Sequence, residues 1–279
     1  MTSITSRRSA SERILAPAII IVVIGFTLTP FVSMLLTALQ PRDTIPTGLS
    51  WPTDPQWHNF VDAWTAANMT ALLQSSAIIV LGVVPASLVC ATMAGYALGQ
   101  LRIPAARPLF LLFVAGLTIP FEALVVPLYY EMRDLGLLNT RAAVILALIG
   151  LFQPFGVFWM RAHFVTFPPH LAEAARVDGA GPWASFRRIH LPLAMPAIAA
   201  LGLLQFLTTW NQFILAIILI DDPAKRTMAG ALGAFVGEHS TDIVLICAGA
   251  LLIMLPGTIV FIILQRQFVR ALLQGAVKG

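Results

Sequence analysis

Apolar residues run along this chain in long unbroken stretches, with no polar face recurring every three or four positions to meet water. Six stretches approach or exceed the roughly 20 residues that a helix needs to cross a hydrocarbon layer. They are Ile14–Leu39, Ala71–Leu98, Leu109–Tyr130, Ala142–Met160, Ala194–Ile220 and Ile243–Gln265. Each is expected to be a single helix, because lipid offers backbone N–H and C=O groups no other partner. Pro85, Pro120, Pro127 and Pro256 fall inside these runs. Neighbouring helices can cover the carbonyls such prolines release. The pattern predicts an all-α integral membrane chain of six transmembrane helices, read as one membrane domain over 1–279.

Composition agrees with that reading. Hydrophobic residues make up 58% of the chain and charged residues 11%, against about 25% charged in an average soluble domain. The net charge of +4 could point to nucleic acid. However, the basic residues sit at the ends of apolar runs, where orientation signals lie, and no basic stripe is interleaved with aromatics. The first run is too long for the apolar core of a signal peptide, about 7–15 residues, and is read as a retained span.

Six crossings put both termini on one side. That side carries Arg7, Arg8, Arg13, Arg102, Arg107, Arg161, Arg176, Arg187, Arg188, Arg266, Arg270 and Lys278. The other carries Arg42, Arg133, Arg141, Lys225 and Arg226. The bias places both termini in the cytoplasm, with Gln40–Thr70, Glu131–Arg141 and Asp221–Asp242 outside.

The segment between the fourth and fifth runs, Arg161 to Leu191, is far longer than the roughly 2–8 residues that join helices in bundles. It reads as helix–turn–helix. Thr166 is a capping residue, and Pro168 and Pro169 suit a first helical turn. Glu173 lies towards the helix N-terminus, where negative charge is favoured, and Gly179 fits a left-handed stop. Gly181-Pro182 opens a second helix carrying Trp183, Phe186 and Ile189, with Arg187, Arg188 and His190 at its end. Leu191-Pro192 is expected to stop that helix before the fifth span.

The stretch Glu173-Ala174-Ala175-Arg176-Val177-Asp178-Gly179-Ala180, followed by Ile189-His190-Leu191-Pro192, resembles the EAA loop of binding-protein-dependent ABC importer permeases. Further matches point to the carbohydrate, MalG-like branch. They are Pro120 with Pro127-Leu128-Tyr129, Leu135 to Thr140, Trp210-Asn211-Gln212-Phe213, and the ending from Gln265 to Gly279. No large outer insertion separates the early spans, which favours MalG-like over MalF-like.

The resemblance implies a cytoplasmic coupling loop over about 166–191 between the fourth and fifth helices. Glu173, Ala174, Ala175, Asp178, Gly179, Ile189, Leu191 and Pro192 would dock it on a separate ATPase dimer. It also implies a second, MalF-like permease subunit, an extracytoplasmic solute-binding protein, a sugar-like solute and a bacterial cytoplasmic membrane. In relatives the C-terminal tail reaches the ATPase.

The chain has no G-x-x-x-x-G-K-[ST] phosphate loop, so ATP and Mg are expected on the partner. No cofactor, metal or nucleic acid is expected on this chain. H-E-x-x-H and G-x-S-x-G are missing from the sequence, Cys90 and Cys247 read as buried apolar residues, and the chain is expected to be a non-catalytic subunit. Candidates for the translocation path are Glu122, Trp210 and Asn211, with Gln205 and Gln212 weaker. Structural roles in joining helices compete for the same residues. A glycerol-phosphate-type solute is the alternative to a sugar. An ion-coupled secondary transporter is a third reading, disfavoured because Glu122 is the one acid within the six runs.

Overall fold

A computed structural model describes residues 10–42, 49–177, 179–235 and 241–276, without the side chains of 10–14, 169, 176 and 267–276. Asp178, Arg7, Arg8 and Lys278 therefore lie outside the described residues.

The described chain is helical. In order come α1 (Ala10–Ala38), α2 (His58–Ala66), α3 (Met69–Gln100), α4 (Ala106–Gly116), α5 (Phe121–Asp134), α6 (Arg141–Val165), α7 (Pro169–Val177), α8 (Pro182–Ser185), α9 (Leu191–Trp210), α10 (Ile214–Leu219) and α11 (Ile243–Ala276). A π-helical turn over Phe186–His190 joins α8 to α9. Five helices are long and apolar enough to cross a membrane, and α4 with α5 supplies a sixth span only as a bent pair.

The chain divides into two compact units, residues 1–67 with 232–252, and 68–231 with 253–279. In the first, α1 is almost bare: 6% of its most apolar window is buried. The loop after it is tied by Asn59, whose amide donates to the Ala38 and Gln40 carbonyls, each at 2.9 Å. Arg42 reaches the carboxylates of Asp242 at 2.9 Å and Asp62 at 3.7 Å. The short helix α2 lies in a stretch that hydropathy leaves as a plain outer segment.

The second unit is built on α3 and α6. They approach so closely that a Cβ on Gly95 would lie 2.5 Å from the Met160 Cβ, and one on Gly156 2.7 Å from the Ala91 Cβ. Small residues that let backbones meet are a main source of helix attachment in lipid, where apolar surface alone gives no drive. A polar knot adds α9. Ser87, fully buried, accepts from the amides of Gln153 at 3.2 Å and Gln205 at 3.0 Å. Near the other end of α3, Ser75 donates to the Lys225 carbonyl and accepts from Arg141 Nε at 2.8 Å, while Ser76 accepts from Met228 N–H at 2.7 Å.

Three expectations about the spans are corrected. The third run is not one helix: it breaks at Leu117–Pro120 and turns by 101° between α4 and α5. Pro120 has no N–H and pushes Ile119 away from helical geometry, and the Thr118 hydroxyl bonds back to Ala115 at 2.7 Å, closing the helix end. The fifth run breaks at Asn211–Phe213. There the Gln212 carbonyl accepts from the Thr227 hydroxyl instead of extending α9. Finally, Cys90 is exposed on α3 and Cys247 half-buried, so neither is a core residue.

Candidate functional site

The hairpin between α6 and α9 begins where Thr166 ends α6. Its hydroxyl donates to the His163 carbonyl at 2.7 Å. Thr166 thus helps to close the preceding helix. Pro169 is the first residue of α7, the position where its missing N–H costs nothing.

On α7, Glu173 and Ala174 face outward while Ala175 is 3% exposed. Gly179 follows at φ +74°, and Ala180 N–H donates to the Ala175 carbonyl at 2.8 Å. This is the six-to-one bond of a Schellman stop, which satisfies a carbonyl that the helix end leaves open. A Cβ at Gly179 would meet nothing within 4 Å. Its glycine is required by the left-handed backbone and not by crowding. The hairpin presents Val177 at 88% exposure and Trp183 at 62%, apolar surface that this chain leaves open.

The second arm does not stop at Leu191-Pro192 as the sequence predicts. Helix runs from Pro182 to Trp210 without interruption. Leu191 N–H reaches back five residues to the Phe186 carbonyl. That wide turn lies where Pro192 would otherwise clash with the carbonyl four residues before it.

His190 sits inside the turn, fully buried, with its Nδ1 3.1 Å from the Ser185 carbonyl. A carbonyl can only accept, so this contact makes Nδ1 the protonated nitrogen. Tyr96 of α3 braces the arrangement. Its ring lies 4.9 Å from Phe186 and 5.0 Å from His190, and its hydroxyl donates to the Pro182 carbonyl at 3.2 Å. Ile189 and Leu191 are half-buried and Pro192 is exposed.

A groove of about 750 Å³ opens between the bent pair α4–α5, α6 and the end of α9. Phe121, Leu128 and Glu131 line it from one face of α5, with Phe152 from α6 and Thr208 and Gln212 from beside the α9 break. Of the path candidates, Gln212 is on this wall and the four others are not. Glu122 is exposed in the first turn of α5, where the helix dipole favours a carboxylate. Trp210 is 5% exposed and donates from its indole N–H to the Ile253 carbonyl of α11 at 3.0 Å, joining two helices. Asn211 bonds back to Leu207 at 2.9 Å. Gln205 belongs to the knot on Ser87.

Glu131 and Thr208 were not legible as wall residues. Glu131 starts a charged stretch that reads as loop, although α5 continues to Asp134. Among the described residues no three His, Cys, Asp or Glu side chains group as metal ligands.

The family described as "Binding-protein-dependent transport system inner membrane component" matches residues 87–274. The diacetylchitobiose uptake system permease protein NgcG of Streptomyces coelicolor is 30% identical over 251 residues, 89% of this chain and 83% of that protein. The melibiose/raffinose/stachyose import permease protein MelC of Bacillus subtilis is 32% identical over 252 residues, 90% and 91%. A chain from the crystal structure of a bacterial ABC transporter for the acidic polysaccharide alginate superposes with a TM-score of 0.78. It is 22% identical, with 93% of this chain and 98% of that one covered.

Proposed function

The chain belongs to the binding-protein-dependent transport system inner membrane components, and from that premise we propose that it forms half of the solute path of a carbohydrate importer. Members of this family are non-catalytic, multi-pass subunits of the cytoplasmic membrane. The relatives that support a sugar-like solute are the diacetylchitobiose and melibiose/raffinose/stachyose permeases. In this reading a MalF-like subunit supplies the other half of the path. A solute-binding protein delivers from outside, and an ATPase dimer carries ATP and Mg. Both termini and the Pro169–Ser185 hairpin face the cytoplasm, as the distribution of basic residues favours.

One observation carries the coupling mechanism: the hairpin and the fifth span share an unbroken helix. From Pro182 to Trp210 there are 29 residues, a rod of about 43 Å at 1.5 Å per residue. A tilt of about 5° at one end displaces the other by roughly 4 Å on that length. The hairpin offers Glu173, Ala174, Val177 and Trp183 to the ATPase. Thr208 and Gln212, at and just beyond the far end of the rod, line the groove. Movement of the second arm of the docked hairpin thereby reaches the solute path with no break in the helix between.

Glu173→Lys and Gly179→Asp test this. Each should leave membrane insertion intact and separate ATP hydrolysis from uptake in the assembled transporter. Gly179→Asp does so by straining a left-handed position, Glu173→Lys by reversing a charge on the docking face. Wild-type uptake by both variants would exclude the hairpin as the coupling element.

A further inference from the structure

The groove is charged at one place. None of the side chains lining it is basic, and Glu131 is its single acid. The Glu131 carboxylate is exposed and makes no hydrogen bond or ion pair among the described residues.

Cations near the same end of this unit are each engaged elsewhere. Arg133 binds its neighbour Asp134 at 2.8 Å and lies over the Tyr130 ring at 4.7 Å. Arg141 donates to Ser75 at 2.8 Å. Lys225 faces Asp222 at 3.3 Å, and Arg226 donates to the Ile220 and Asp221 carbonyls at 2.9 and 3.2 Å. The Asp222 carboxyl lies below the ordinary carboxylate range, held first by the Ala224 N–H and then by Lys225, so Lys225 has an ionised partner. The Glu131 charge is left unbalanced.

A cleft with low-dielectric walls concentrates the field of such a charge and enriches counter-ions about tenfold or more. The rest of the wall is built for uncharged polar groups. Thr208 and Gln212 both donate and accept hydrogen bonds, Glu131 accepts from hydroxyls, and Phe121 and Phe152 offer ring faces to C–H surfaces.

We infer that this groove selects its solute by charge, passing neutral polyhydroxyl compounds and repelling carboxylated or phosphorylated ones, with Glu131 as the specificity-determining residue. The inference rests on the reading of the groove as part of the solute path. It sets this chain against acidic sugars and glycerol phosphates as cargo.

The test places a cysteine on the wall of the assembled transporter, in a chain carrying Cys90→Ser and Cys247→Ser. Thr208→Cys is the first site. Leu135→Cys, one helical turn beyond Glu131 and also on the wall, covers the case in which the first disturbs folding. Each is treated with a cationic trimethylammonium and an anionic sulfonate methanethiosulfonate reagent. Both rates are normalised to a small free thiol.

The cationic reagent should be favoured about tenfold, and Glu131→Gln should remove most of that preference. Equal normalised rates, or a preference that survives Glu131→Gln, would overturn the charge inference and leave the path reading standing. Failure of both cysteines to react with either reagent, with or without nucleotide, would instead remove the groove from the path and the inference with it.

Discussion

Two prolines in this chain meet the same chemical problem and reach opposite outcomes. Pro120 ends α4–α5 continuity in a 101° bend, while Pro192 sits within a helix that runs straight past it from Pro182 to Trp210. Both lack the N–H that a helix interior needs. At Pro120 the helix end is closed by the Thr118 hydroxyl, and a new helix starts with Glu122 in its first turn. At Pro192 the chain first widens through Phe186–His190, and the buried rings of Tyr96 and Phe164 with the half-buried ring of Phe167 hold the wide turn in place. A proline therefore makes a joint where its surroundings are open, and becomes part of a rod where a neighbouring helix braces the turn before it. The joint borders the groove, and the rod carries the hairpin.

The largest expected effect comes from turning the hairpin about the rod. Inserting one alanine after Ala184, in the ordinary helix before the wide turn, would rotate the rest of the hairpin by about 100° around the rod. Uptake by the assembled transporter should fall about tenfold or more, the scale of a lost coupling free energy, while membrane levels hold. Paired uptake and ATP-hydrolysis assays read this directly. Full uptake would mean that the direction in which the hairpin points is immaterial.

A smaller effect probes the platform behind the rod. Gly95→Ala should cost about 1–3 kcal/mol, as overpacking does, because Met160 and the Arg161 backbone already occupy the Cβ position. Gly25→Ala on the bare α1 meets nothing within 4 Å and should not lower the thermal midpoint in detergent. Equal shifts for the two would contradict the close α3–α6 seam.

The smallest effect sharpens the contrast itself. Pro120→Ala should open the bend partway, lengthening the distance between spin labels at Leu112 and Val126 by a few ångström. Pro192→Ala should leave labels at Trp183 and Leu193 unmoved. All four label sites are exposed. A bend unaltered by Pro120→Ala would assign the joint to packing alone.

Much of this was legible in the sequence, for physical reasons that also mark the limit. The runs behind α1, α3, α6 and α11 are apolar on every face, so hydropathy locates these helices, although α11 continues eleven residues past its run. The α7 stop at Gly179 is legible because few residues other than glycine tolerate that backbone. Hydropathy is blind to where a backbone hydrogen bond is lost. Pro120, Pro127, Pro192 and Pro256 look alike in the sequence, yet one makes a joint and three remain inside helices.

Trp210 and Asn211 stand out by residue type, as a ring and an amide in an apolar run. Their destinations, the Ile253 carbonyl and the preceding helical turn, depend on long-range packing and the local helix end. Glu131 was hidden by its charged neighbours, which end the apolar signal before the helix ends.

The bareness of α1 has a consequence for how the protein is made. A helix whose apolar window packs so little against its own chain is stable as soon as it enters the bilayer. It can leave the translocon before the other described helices are synthesised. The α4–α5 joint cannot, since α6 and the end of α9, which complete the groove it borders, are made later. The ribosome must therefore deliver close to a hundred further residues before that corner of the protein is at rest, and during that interval it is the natural substrate for membrane chaperones and proteases.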